Sequence, residues 1–175
     1  MFISVSMTFD ANQTMAGVWP NLRLFAVTTG WAADEQADFP PPYNKTTEAG
    51  ACGIFVPNSK QRCLTWQTAT QPTVIGAFSA TCFYTAINLA KRLPADAIFG
   101  LVHSSFVGTD MQTWSPPEAI AECKLPPSAA PLRDPIPTGF SSLWNAMIHP
   151  IVHFGIRGVL WCVLMRPRPP PQLWP

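Results

Sequence analysis

The sequence predicts an α/β three-layer sandwich with a parallel sheet. Three observations carry that expectation. Residues 22–27, Leu-Arg-Leu-Phe-Ala-Val, have the composition of a strand. Ile75, Phe78, Cys82, Ala86, Leu89 and Leu93 recur at steps of three and four, one apolar stripe at helical period. Residues 98–102, Ile-Phe-Gly-Leu-Val, come after a short connection. They form a continuous apolar run, as expected of a strand covered on both faces. Strand, helix, strand in that order is the unit from which parallel sheets are built.

The stretch after residue 27 reads as irregular, through Pro40, Pro41 and Pro42 and a polar loop between Cys52 and Cys63. A second, shorter strand is expected around residues 62–67. The long helix then begins with Thr73 as its cap. It ends with Lys91 and Arg92, which suit the negative pole of its dipole. Pro94 stops it. Further short helices are expected at 117–123 and 142–148, and a last strand at 156–164. The chain has 20 prolines, clustered at 40–42, between 116 and 137, and in the tail. That spacing fits long irregular connections between elements. No internal repeat is present.

Length and composition bound the rest. At 175 residues the chain is one domain's worth, with 47% hydrophobic and 12% charged residues. About 25% charged is usual in soluble domains, and this apolar composition excludes general disorder. Net charge is +1 and the basic residues form no patch, so nucleic acid is not an expected partner. No run approaches the roughly 20 apolar residues of a membrane-spanning helix, so no membrane partner is expected. The opening MFISVSMTF is short, lacks basic residues and meets Asp10, unlike a signal peptide. A Cys52–Cys63 disulfide would close a short loop and add about 3 kcal/mol. Asn12-Gln13-Thr14 and Asn44-Lys45-Thr46 match the glycosylation pattern. Together these features lean toward a glycoprotein of the secretory route. Cys82 reads as a small buried hydrophobe. Nothing in the sequence sets an oligomeric state.

In parallel α/β sheets, ligands sit at the carboxyl ends of the strands. That rule directs attention to the loop opening at His103-Ser104-Ser105 and to the segment after Trp161. In SSFVGTDMQTWSP, Gly108 lets backbone approach a ligand and offers an N–H to a developing oxyanion. Ser104, Ser105 and Thr109 supply hydroxyls, and Trp114 supplies a flat apolar face of the kind sugars stack on. The alternative is an ordinary turn over a buried tryptophan. His149 and His153 are spaced for one face of a helix, but Pro150 lies between them. No acidic or cysteine ligand is near, so no metal is expected. The sequence contains no G-x-S-x-G, P-loop, G-x-G-x-x-G or paired-cysteine zinc pattern.

Several stretches resemble one family. Residues 78–83, Phe-Ser-Ala-Thr-Cys-Phe, match its F-S-A-x-C-W/F. Residues 100–109, Gly-Leu-Val-His-Ser-Ser-Phe-Val-Gly-Thr, resemble G-L-I-x-S-S-W-G-G-T, and Gln112-Thr113-Trp114-Ser115 stand where the family has E-A-W-S. Residues 143–150, Leu-Trp-Asn-Ala-Met-Ile-His-Pro, match L-W/Y-N-A-M-I-H-P. Residues 156–161 begin the family's I-K-G-V-x-W-Y-Q-G-E-S-N. The chain thus resembles the sialate O-acetylesterases, carbohydrate esterases with an SGNH-hydrolase, flavodoxin-like fold, from about residue 4 to residue 161.

The resemblance implies a serine that attacks the acetyl ester of a sugar, a distal histidine base, and an oxyanion held by backbone N–H groups. The substrate would be an acetylated sugar or glycan, sialic acid foremost, with no cofactor. An extracellular or lysosomal address is implied as well. Met1 to Val5 line up with the end of the nucleophile motif G-Q-S-N-M, so the nucleophilic serine falls before Met1; Ser4 and Ser6 stand in the wrong context. The family's base lies beyond the end of this chain. What remains is the Gly108 N–H as oxyanion donor, with Ser105, Thr109, Trp114, Asn145 and His149 bordering the substrate. Asn145 and His149 are expected to order the loop through hydrogen bonds. Phe106 and Val107 replace the family's tryptophan and first glycine; a valine forced to positive φ would be strained by about 1 kcal/mol or more.

After Trp161 the likeness stops, and Cys162-Val163-Leu164 run into RPRPPPQLWP. The expected division is a partial esterase domain over residues 1–164 and a Pro-rich tail over 165–175. The tail reads as wrong-frame or intron sequence, or alternatively as a PxxP ligand for an SH3-like domain. The expected product is inactive alone, with a non-catalytic carbohydrate-binding protein or a Pro-tail interaction protein as alternatives. A sheet missing its first strand would expose an apolar edge and favour aggregation.

Overall fold

The computed structural model describes residues 4–39, 65–106, 108–123 and 139–162. Strand β1, Trp19–Ala26, is the centre of a three-stranded sheet ordered β2-β1-β3. Strand β3, Phe99–His103, lies parallel to it, with Leu22 opposite Phe99 and Ala26 opposite His103. This is the strand–helix–strand pairing that the sequence predicts. Strand β2, Gln67–Ala69, runs antiparallel along the other edge of β1. The described sheet is therefore mixed, and a purely parallel one is not what is seen. The second strand also falls later than residues 62–67, of which 62–64 lie outside the described residues.

The pleat of β1 sorts its side chains. Leu22 and Leu24 enter a cluster with Ile75, Phe78, Phe83 and Leu101. Phe25 and Val27 join another, with Phe106, Trp114, Leu143 and Met147. Neighbouring residues of one strand thus serve different cores.

The expected single helix is two. Helix α1, Ala11–Ala16, precedes the sheet. Helix α2, Pro72–Ala77, starts with proline in its first turn and has Gln71, not Thr73, as its N-cap. Phe78 and Ser79 are extended, and Ser79 accepts a hydrogen bond from the Cys82 N–H to begin helix α3, Ala80–Ala90. That interruption resets the helical phase. Ala80, Phe83, Ala86 and Ile87 face the core, while Leu89 and Leu93, expected inside, are each 47% exposed. Helix α4, Pro117–Glu122, matches its expectation, with no buried residue.

Residues 142–148 are helical as expected, but Trp144–Ile148 is wound as a π-helix, and His149–Ile151 continues as a 3-10 turn through Pro150. Ser141, at the entry, has φ 58°. The last predicted strand is not formed over residues 156–162, which are exposed and irregular, Val159 at 72%. A strand exists only where a neighbour satisfies its backbone, and none of the described residues pairs with this segment in the sheet. The Cys52–Cys63 disulfide, the Asn44 site, Val107, residues 163–164 and the Pro-rich tail lie outside the described residues. Asn12 is exposed on α1. No helix among the described residues is long and apolar enough to cross a membrane.

Candidate active site at the carboxyl end of the parallel strands

Strand β3 ends on His103, whose carbonyl accepts the Val27 N–H at 2.9 Å and so locks the tips of the parallel pair together. The imidazole is 8% exposed and meets the Phe78 ring edge-on at 5.6 Å. Burial disfavours the imidazolium and lowers the His103 pKa to about 4, so the ring is neutral at physiological pH. Its Nε2 lies 2.8 Å from Ser105 Oγ. Ser104, pointing the other way, donates to the Met147 carbonyl at 3.3 Å.

The loop beyond is held by its own side chains. Thr109 donates to the Phe106 carbonyl at 2.8 Å and accepts the Trp114 indole N–H at 2.9 Å. Thr113 donates to the Asp110 carbonyl, and Ser141 N–H reaches back to the Gln112 carbonyl. Gly108, exposed, has φ +77° and open space where a Cβ would stand. Its backbone conformation, rather than crowding, is what calls for glycine there. Trp114 is 8% exposed, buried among Phe25, Leu143 and Met147 with the Trp161 ring edge-on at 6.0 Å. That leaves little of its face for a sugar, and the ring acts chiefly as core.

Asn145 and His149 face a different partner, the segment after β1. Asn145 Nδ2 donates to the carbonyls of Ala32 at 3.2 Å and Ala33 at 2.8 Å. The Gln36 N–H donates to the Asn145 carbonyl, and Ala32 N–H to that of Ser142. His149 Nδ1 donates to the Gln36 carbonyl at 2.9 Å, and its Nε2 lies 3.4 Å from Glu35 Oε2. Trp144 Nε1 donates to the other Glu35 oxygen. The π-helical segment therefore clasps residues 32–36 along their backbone. Asn145 Oδ1 is buried without a hydrogen-bond partner among the described residues.

Of the residues singled out in the sequence, Ser105, Gly108 and Thr109 share one loop at the carboxyl end of β3. Trp114 packs beneath it. Asn145 and His149 stand on the clasp, and their side chains bond residues 32–36 rather than that loop. Sequence reasoning missed the pairing of His103 with Ser105; the signal was a His-x-Ser spacing at a strand end, which places both side chains on one side of an extended chain. It also missed Glu35, which no local pattern marks. Among the described residues no group of three metal-ligating side chains lies together. An open cleft of about 580 Å³ lies elsewhere, against α3, lined in part by Thr8, Tyr84, Asn88, Leu89 and Arg92.

No family model matches the chain. It is 38% identical over 85 residues, 47% of its length, to sialate O-acetylesterase of Homo sapiens. Against sialate O-acetylesterase of Rattus norvegicus it is 33% identical over 92% of its length, and spans 32% of that protein. The corresponding protein of Mus musculus is 31% identical over the same share. Among solved structures, a carbohydrate acetylesterase from Xanthomonas citri superposes with a TM-score of 0.63 at 25% identity, over 92% of this chain and 29% of that one.

Proposed function

We propose that this chain, a homologue of the sialate O-acetylesterases over 92% of its own length and 32% of theirs, forms the oxyanion side of a carbohydrate acetylesterase. The observation that carries the reading is Gly108. It sits at positive φ in a loop fixed at both ends, just past the carboxyl end of β3. A backbone N–H so placed is the element an acetyl-transfer site needs to hold the charge of a tetrahedral intermediate. The substrate class is an O-acetylated sugar, with sialic acid first.

In this reading the attacking serine and its base are supplied by the family's own motifs, neither of which maps onto residues of this sequence. Loss of either in a triad enzyme costs on the order of a millionfold. Turnover of a sugar ester by the 175-residue chain is therefore expected to be negligible. The mixed sheet is read as part of a three-layer SGNH-type sandwich, and an extracellular or lysosomal address is read from the family resemblance, since Asn12 is exposed but Thr14 of its sequon is buried against Tyr84. The test is acetate release from an O-acetylated sialic acid, by this chain and by the full product of its transcript. Release by the full product alone supports the proposal. Release by neither, from folded protein, refutes it.

A further inference from the structure

We propose that Ser105 and His103 form a nucleophile–base pair that takes one acyl group from an activated ester and retains it. The pair is a feature of this chain, because the resembled pattern leaves the position of His103 open. The inference rests on the esterase reading only for its choice of probe.

The geometry is that of a general base on a hydroxyl. Ser105 Oγ and His103 Nε2 are 2.8 Å apart, within the reach a proton transfer needs. With its proton on Nδ1, the neutral ring accepts the Ser105 O–H, leaving the Oγ lone pairs for an incoming carbonyl. The two residues differ in access. Ser105 is partly exposed, whereas His103 is buried against Phe78 and the end of β1. An ester can reach the oxygen, while the imidazole is buried behind it. Gly108 stands three residues further along the same loop.

In the acylation step, Ser105 Oγ bonds to the carbonyl carbon as its proton passes to His103 Nε2. The tetrahedral oxyanion collapses, the bond to the leaving oxygen breaks, and that oxygen departs with the electron pair. Burial disfavours the imidazolium, which returns its proton to solvent. The same burial makes the ring a weak base, so a good leaving group is required. Hydrolysis of the acyl-serine must expel the serine alkoxide, a far poorer leaving group than p-nitrophenolate, with the same weak base, and is therefore slow. Acylation without turnover results.

The probe is p-nitrophenyl acetate on the 175-residue chain, with p-nitrophenolate release, intact mass and peptide mapping as readouts. The expected result is a burst of one equivalent, little release thereafter, and one acetyl group on Ser105. Ser105→Ala should lose both burst and label, and His103→Gln should slow the burst by at least about 10-fold. Ser115→Ala, at a half-buried serine that donates to the Met111 carbonyl, should label normally. A sulfonyl fluoride should modify Ser105 of the unaltered chain by the same attack. This second reagent needs no variant, so it tests the pair even where a substitution unfolds the protein. Label confined to lysine or tyrosine, a burst indifferent to His103→Gln in folded protein, or no adduct from either reagent overturns the proposal. None of these outcomes bears on acetate release from sugar esters.

Discussion

Acidification should destabilise this protein through one histidine. In the folded chain the His103 pKa is lowered to about 4 from an ordinary 6.5 by burial. Above pH 6.5 neither folded nor unfolded chain holds the proton, and the group contributes nothing to the pH dependence. Below 6.5 the unfolded chain binds a proton that the folded chain refuses, so stability falls with pH. At about 1.4 kcal/mol per unit of difference, the loss reaches about 2 kcal/mol at pH 5 and about 3 kcal/mol near pH 4. That is a large share of the roughly 5–15 kcal/mol that holds a domain together. The assay is urea unfolding of the native chain and of His103→Gln at pH steps from 7.5 to about 4. Carboxylates titrate in both proteins and cancel in the difference. The variant should be less stable at pH 7.5, and its disadvantage should shrink by about 3 kcal/mol on descending to pH 4. Parallel stability curves would refute the reasoning, since they would mean that His103 takes up its proton as readily in the fold as in water.

Other substitutions test the clasp and the cores. Asn145→Ala should cost about 1–3 kcal/mol, because it strips the donor from the Ala32 and Ala33 carbonyls; urea midpoints measure it, with faster protease cleavage near residues 32–36 expected alongside. Met147→Ala, in a fully buried site, should lose about 2–5 kcal/mol by the same titration. Ser141→Gly should raise stability by about 1 kcal/mol, read as a higher thermal midpoint, because φ 58° strains any residue with a Cβ. Cys82, whose thiol is pushed up in pKa by burial, should react with a disulfide reagent at pH 8 far more slowly than the exposed Cys123, as measured by thiol titration.

The strands that pair in parallel were legible because residues 22–27 and 98–102 are apolar runs of strand length; the expected cover on both faces of the second run is not seen, since Ile98 is 67% exposed and Gly100 is exposed as well. The helix between them was legible in extent but not in phase. A stripe of period 3.6 fits Ile75 and Phe78, and only the extended backbone at Phe78 and Ser79 rotates the next turns, bringing Phe83 and Ile87 inward in place of Leu89 and Leu93. No local pattern shows such an offset. Residues 156–162 read as a strand by composition, yet a strand also requires a neighbour, which composition does not supply. The candidate loop was singled out by the strand-end rule. The bond from His103 to Ser105 was missed, since a histidine closing a strand reads equally well as a simple edge residue. The hold of Asn145 and His149 on residues 32–36 depends on backbone carbonyls distant in sequence, which side-chain motifs do not record.

The register of the parallel pair also sets how this chain reaches its fold. Leu22 lies beside Phe99, and every rung from there to Ala26 and His103 joins equally distant residues. Helix α3 and β3 are close in sequence and can meet early, whereas β1 gains its parallel ladder only after a long loop has closed. That closure costs entropy before any rung repays it. Refolding should therefore run on milliseconds to seconds rather than microseconds. Until β1 arrives, Leu101 and Phe83 lack the leucines that cover them in the finished core. The slow step is thus also the interval in which the chain is most exposed to self-association.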